Sequence, residues 1–348
     1  MPEEILVVKD LKTWFPIKVG LLQKTVGHVR AVDGVDLEVK KGETYGLVGE
    51  SGSGKTTLGK SILRLIKPTD GKVYFDGTDV TQAGKKELME LRGRMQIIFQ
   101  DPYASLDPRQ TVGSTLSEPM RIHKVVSSKA EAMKRAKELL LRVGLNEEHL
   151  FRFPHEFSGG QRQRIAVARA LAVDPDFIVL DEPTSFLDVS VQAQVLDLLK
   201  ELQKELGLTY VFISHNLSVV QYMSERVGVM YLGKIVEEAE RDVLYKYPEH
   251  PYSYFLMAAI PIPDPEYKKV PKLLTGDVPS PVNIPPGCRF HPRCPYATEK
   301  CRVGDVPFHA GSGNYHNVAC IYVVDFERGT QTLRPGTPTQ TAEARIGS

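Results

Sequence analysis

The chain has 348 residues, 42% of them hydrophobic, enough to bury one large core or two ordinary ones. Its 44 Lys and Arg are matched by 43 Asp and Glu, so it lacks the basic field that nucleic-acid binding demands, and no nucleic-acid partner is expected. The longest apolar stretch, residues 254–262, carries prolines and reaches only about half of the twenty or so residues a spanning helix needs, so membrane association is expected through partners.

The N-terminus has Glu3 and Glu4 and no long apolar run, which reads as the absence of a secretory signal and predicts a cytosolic chain. Up to residue 247 short apolar or β-branched runs alternate with longer helical patterns, predicting an α/β domain with a largely parallel sheet. Core strands are expected at 44–48, 96–99, 177–180 and 210–214. Between them, 101–164 lacks strong strand runs and reads as a helical insertion, with a helix at 129–143. Ten of the 24 prolines fall in 248–286, predicting a boundary and an extended connector rather than a packed helix. A small cysteine-bearing module is expected over 248–327, and the Thr-, Gly- and Pro-rich end, 328–348, is expected to be disordered.

After the 44–48 run comes Gly49-Glu50-Ser51-Gly52-Ser53-Gly54-Lys55-Thr56-Thr57, then an apolar helical pattern over 58–66. This is the strand, glycine-rich loop and helix of a P-loop. Its glycines let backbone N–H groups curl around phosphate oxygens, Lys55 neutralises the β/γ oxygens and the Thr56 hydroxyl suits Mg²⁺. The apolar run at 177–180 ends in Asp181 and Glu182, two carboxylates at the strand end where α/β sheets bind ligands. Asp181 suits a Mg²⁺ ion through its water shell, and Glu182 suits polarisation of an attacking water.

His215 closes the 210–214 run and Gln100 follows the 96–99 run, each explicable alone as a polar strand end. Ser158-Gly159-Gly160-Gln161 precedes an amphipathic pattern at 162–172. Ser-x-x-Gln is a capping box, which accounts for Ser158 and Gln161 without a ligand. Two consecutive glycines are more than a cap needs, and they predict close approach to another molecule.

In this order the motifs resemble those of the ABC ATPases: Walker A at Gly49 to Thr57, the Q-loop Gln100, the LSGGQ-type motif at Phe157 to Gln161, Walker B ending in Asp181 and Glu182, and the switch His215. The resemblance implies that Thr56, Gln100 and Asp181 serve Mg²⁺, Lys55 the phosphates, Glu182 the water and His215 the γ-phosphate. It implies that Phe15, with Trp14 as competitor, stacks on adenine. It also implies that Ser158, Gly159, Gly160, Gln161 and Asp188 contact the ATP held by a partner. The segment Gln100 to Pro108, with His250-Pro251-Tyr252 and Pro279-Ser280-Pro281, is similar to the oligopeptide/dipeptide branch, and Trp14 to Ile17 to its F-type subunit. That branch implies a second homologous ATPase, two transmembrane permease subunits and an extracytoplasmic binding protein, with this chain peripheral on the cytoplasmic face. Oligosaccharide or nickel import is the alternative within the branch, and a soluble ABC protein of translation or DNA repair the alternative outside it. Phe186 departs from the family's Ser-Ala-Leu-Asp pattern at 185–188.

All four cysteines, Cys288, Cys294, Cys301 and Cys320, lie in one short segment, which in a cytosolic chain points to a metal rather than disulfides. Four thiolates can ligate Zn²⁺ or an iron–sulfur cluster. Five residues separate the first pair and six the second, wider than the usual zinc pairs. The family resemblance implies a [4Fe-4S] cluster. His291, His309 and His316 are alternate ligands.

Overall fold

The computed structural model describes residues 3–20, 23–260, 274, 276–312, 315–326 and 328–334. They form two compact units, Met1–Ile235 and Val236–Ser348.

The first unit contains β1 (Glu4–Val19), β2 (Lys24–Lys40), β3 (Thr44–Val48), α1 (Lys55–Ile62), β4 (Asp70–Phe75), β5 (Thr78–Asp79), α2 (Lys85–Arg94) and β6 (Met95–Ile98). It continues with α3 (Pro102–Ser105), α4 (Val112–Ile122), α5 (Lys129–Arg142), α6 (Gly159–Leu171), β7 (Phe177–Asp181), α7 (Val189–Leu206), β8 (Thr209–Ile213), α8 (Leu217–Met223) and β9 (Arg226–Tyr231).

Strands β3, β7, β8 and β9 are buried at every residue. Helices cover both faces of such strands, so they read as continuous apolar runs rather than alternating ones. They pair in parallel with β6 in the order β9-β3-β8-β7-β6. The C-terminal ends of β3, β6, β7 and β8 therefore open on one edge, where Gly49, Gln100, Glu182 and His215 follow within two residues. A separate antiparallel sheet, β2-β1-β4-β5, was not foreseen. Its long hairpin carries register shifts at several points, which blur the period-two signal that reveals a strand in sequence.

Helix ends follow local chemistry. Ser128 caps α5 by accepting the Glu131 N–H, Asp188 caps α7 by accepting that of Val191, and Gly207 stops α7 in the left-handed region.

The division at Ile235/Val236 falls inside β10 (Lys234–Glu240), earlier than the boundary expected at 247. The second unit continues with α9 (Arg241–Lys246), α10 (Pro251–Ala258), β11 (His309–Ala310), β12 (Asn317–Val318), β13 (Tyr322–Asp325) and β14 (Thr330–Leu333). Short 3₁₀ turns lie at His291–Arg293 and Glu299–Arg302.

Two expectations are corrected here. The proline-rich stretch opens with the helix α10: Pro251 sits in the first turn, where a missing N–H costs nothing, and the next seven residues contain no proline. The expected disordered end begins with β14, which pairs with β13, and Arg334 after it is buried. Residues 261–273 of the expected connector and 335–348 of the tail lie outside the described residues.

Candidate nucleotide site and cysteine cluster

The loop after β3 is shaped by two glycines that nothing else could replace. Gly49 has φ 151° and an added Cβ would lie 2.1 Å from the Met230 carbonyl oxygen; Gly54 has φ 108° and its Cβ would lie 2.0 Å from that of Ala31. Gly52, at φ 78°, faces open space. Lys55, buried, folds back over the loop and donates to the Gly49 and Glu50 carbonyls at 2.8 and 3.0 Å and to Ser53 Oγ at 3.2 Å. Burial lowers its pKa, against the opposing pull of Glu182, Asp181 and Glu50. Ser51 is exposed, and Thr57 lies in the first turn of α1.

Thr56 Oγ1 donates to Asp181 Oδ1 at 2.8 Å, joining the start of α1 to the end of β7. Burial raises the Asp181 pKa; the Thr56 bond and the charges of Lys60 and Lys55 pull it back. Glu182 takes the left-handed φ of 49°, a conformation costing a non-glycine residue about 1–2 kcal/mol. Three contacts hold it there: its N–H donates to Ile213 O at 2.9 Å, and its carbonyl accepts from Ser185 N at 3.3 Å and Ser185 Oγ at 3.1 Å. This turn aims the Glu182 carboxylate between two neighbouring strand ends. Gln100 Nε2 reaches its Oε2 at 2.9 Å and His215 Nδ1 reaches the same oxygen at 3.1 Å. The structure thus brings together Lys55, Thr56, Gln100, Asp181, Glu182 and His215, from segments far apart in sequence.

Other expected residues have different surroundings. Ser158 and Gln161 form the capping box: Ser158 N donates to Gln161 Oε1 at 3.0 Å and Gln161 N to Ser158 Oγ at 3.3 Å. At Gly160 an added Cβ would lie 2.3 Å from Val191 Cγ1, so packing of α6 on α7 also favours glycine there. At Gly159 a Cβ would make an ordinary contact with Leu187. Trp14 is engaged within the chain, its Nε1 donating to Asp33 Oδ1 at 2.9 Å and Arg30 lying over its ring at 4.8 Å. Phe15 is exposed. Asp188 is exposed at the start of α7, as is Phe186 just before it.

Sequence reasoning missed the link between the segment after Gln100 and α6. The Arg162 guanidinium lies 3.5 Å from the Tyr103 ring centroid, and Arg169 Nη1 donates to the Ser105 carbonyl. The available signal was the spacing of seven between Arg162 and Arg169, which puts both on one helix face.

In the second unit the four cysteines line one cavity of about 20 Å³, with His250, His291 and apolar walls including Phe290, Ile321 and Tyr322. Burial pushes the thiols of Cys288, Cys294 and Cys320 up to about 11, 12 and 12. Among the described residues, no group of three or more His, Cys, Asp or Glu side chains is arranged to hold a single metal ion. Of the alternate ligands, His316 is committed elsewhere, its Nε2 lying 2.8 Å from Glu237 Oε1. His291 Nδ1 lies 2.9 Å from the Cys288 carbonyl oxygen. His309 lies on β11 and is not among the residues lining the cavity.

Glu237 is the hub of a second buried set. It also accepts the N–H groups of Glu249 and His250 at 2.7 and 3.0 Å, while Glu249 pairs with Arg334 and with Ser312. Burial disfavours a charge on His316, but the bond and charge of Glu237, with Ser312 and Glu249, outweigh it and raise the His316 pKa.

A P-loop whose threonine meets the strand-end aspartate, beside a glutamate held by groups from both neighbouring strands, defines an ATPase of the ABC class. Residues 32–185 match the ABC transporter family, and residues 236–301 match the oligopeptide/dipeptide transporter C-terminal region. The chain is 49% identical to the oligopeptide transport ATP-binding protein AppF of Bacillus subtilis, over 91% of this chain and 97% of that one. It is 56% identical to OppF of the same organism, over 77% and 86%. Among solved structures it resembles the ATP-binding cassette MJ0796, in a dimeric post-hydrolysis state bound to ADP and Pi, with TM-score 0.61, 32% identity and coverage of 68% and 98%. The chain therefore belongs to the ATP-binding proteins of the oligopeptide/dipeptide ABC transporters, of the F type that its Bacillus relatives represent. No helix among the described residues is long and apolar enough to cross a membrane.

Proposed function

We propose that this ATPase powers peptide import from the cytoplasmic face of a membrane, paired with a second, homologous ATPase on two permease subunits fed by an extracytoplasmic binding protein. The observation that carries the catalytic part is the convergence of Gln100, Glu182 and His215 beside the Thr56–Asp181 pair. Phosphoryl transfer needs mainly positioning and charge neutralisation. Lys55 and the loop N–H groups hold the phosphates. Thr56, Asp181 and the Gln100 carbonyl oxygen, left over when its amide faces Glu182, form an oxygen set suited to Mg²⁺, which supplies charge neutralisation when bound. Glu182 accepts the proton of the attacking water, kept on its side of the site by Gln100 and His215. Phe15 stacks on adenine. Ser158, Gly159, Gly160, Gln161 and Asp188, at the starts of α6 and α7, meet the partner's nucleotide. The helical segment after Gln100 docks on the permeases, and the Arg162–Tyr103 contact ties it to the Ser158 end of α6.

The second unit is proposed to hold a [4Fe-4S] cluster on Cys288, Cys294, Cys301 and Cys320. Supporting it are four cysteine sulfurs around one cavity whose other walls are largely apolar. Because burial holds the Cys288, Cys294 and Cys320 thiols protonated, their loading must release protons and is favoured by rising pH.

The test of import is ATPase activity of the reconstituted transporter with its binding protein. Stimulation by di- or oligopeptides is expected. Stimulation by an oligosaccharide or nickel instead would reassign the cargo, and association with ribosomes or DNA without permeases would overturn the transport reading.

A further inference from the structure

The cysteine cavity has one polar wall that neither ATP hydrolysis nor thiolate ligation requires. His250 is 1% exposed and lines the cavity. It is also the N-cap of α10, its Nδ1 accepting the Tyr252 N–H at 3.1 Å. A nitrogen that accepts carries no proton, so the neutral ring bears its proton on Nε2. Burial keeps the ring neutral, lowering its pKa to about 3. That Nε2 is itself buried and has no hydrogen-bond partner. Leaving a buried donor unpaired costs about 1–3 kcal/mol, so such a group marks a place where an acceptor belongs.

Two acceptors are candidates. Gln331 Oε1, from a residue that also lines the cavity, is buried and unpartnered too, so a single water could bridge it to His250. The other acceptor is sulfur, which four cysteines bring to the same walls. A water would have His250 and Gln331 as its two polar partners, the minimum for a buried water, whereas the four cysteines lining the cavity offer the Nε2–H several sulfur acceptors.

We propose that His250 is a positioning residue for the group held by the four cysteines, its Nε2–H donating to a sulfur of that group or of a ligating cysteine and raising its reduction potential. The inference rests on the cluster reading. A hydrogen bond to sulfur stabilises the extra negative charge of the reduced state, so its removal moves the potential down. The two nitrogens of His250 can be tested apart. In His250→Asn the amide oxygen replaces Nδ1 as the helix cap but nothing reaches as far as Nε2. In His250→Gln an amide N–H reaches the Nε2 position while the cap is lost.

The experiment is anaerobic purification of the full chain and both variants, with iron content, visible absorption and midpoint potential measured on each. All three should hold the same iron, with the potential of His250→Asn shifted down and that of His250→Gln restored toward wild type. An unshifted His250→Asn with full iron content would overturn the donor role while leaving the cluster reading intact, and a water bridging His250 and Gln331 would accompany it. Should His250→Asn lose its iron, His250→Gln decides: iron at the wild-type potential supports the donor, and loss there too makes His250 merely structural and overturns it. A colourless wild type with one zinc removes the cluster and this inference with it.

Discussion

The two units solve the problem of binding in opposite ways. The nucleotide site is a set of side chains each fixed by a strand end, so its parts are dispersed in sequence but each sits in a recognisable local context. The cysteine region is compact in sequence, yet its geometry comes from distant ties, with Glu237 on β10, Glu249 and His250 before α10, His316 near β12 and Arg334 after β14 holding it together. Regular strand ends let a motif be read as a site; an irregular module lets only its donor set be read.

The sharpest break of this comparison is at the loop backbone. Gly54→Ala demands a left-handed φ and puts Cβ 2.0 Å from the Ala31 carbonyl oxygen, so ATP binding should fall below detection in a titration with a fluorescent nucleotide, while unit 2 is untouched. Gly52→Ala meets open space and carries only the backbone cost, about 1–2 kcal/mol, so some binding should survive. Equal loss in both would mean that the close approach to Ala31 is not what selects glycine.

The converse is Glu237→Ala. It strips a fully buried carboxylate from His316 and two backbone N–H groups, and breaking a buried pair costs about 3–5 kcal/mol. Limited proteolysis should open residues 236–334 while ATP binding by unit 1 persists; joint loss would show the units to be less independent than their separate cores imply.

How far each region was legible follows from these ties. The parallel strands announced themselves because burial on both faces makes continuous apolar runs, and Asp181, Glu182, Gln100 and His215 stood at their ends. The antiparallel hairpin β1–β2 did not, because its register shifts break the alternation. Gly160 carries two demands that the sequence cannot separate: a glycine favoured by packing against Val191 looks the same as one favoured by the approach of a ligand. Strand β14 was hidden by a Thr- and Gly-rich composition that also suits a tail, and its anchor Arg334 finds Glu249 only through the fold.

A smaller effect comes from pH. His316 has its pKa raised in the folded state, facing Glu237, Glu249 and the Ser312 carbonyl, with Arg334 on the far side of Glu249. A raised folded pKa contributes stability fully present below the ordinary histidine value near 6.5 and lost as pH rises through the folded one. Hydrogen exchange in unit 2 should therefore quicken as pH climbs past that point, after correction for intrinsic rates, and His316→Gln should flatten the trend. An unchanged trend in the variant would detach it from His316.

The smallest is Arg162→Leu, which removes the contact with the Tyr103 ring. A cation–π pair is worth about 0.5–2 kcal/mol, so ATP binding should hold and the segment after Gln100 should loosen, seen as faster exchange at 101–108. Unaltered exchange there would mean that the Arg169–Ser105 bond carries the link alone.

The central claim is that Glu182, held between Gln100 and His215, takes the proton of the attacking water. Its most direct test is phosphate release by Glu182→Gln in the assembled transporter, measured beside ATP affinity. The amide is nearly isosteric but cannot accept that proton, so affinity should be retained while phosphate release slows by about 10²–10⁴-fold. Phosphate release at the wild-type rate would contradict the account and remove Glu182 from the role of base.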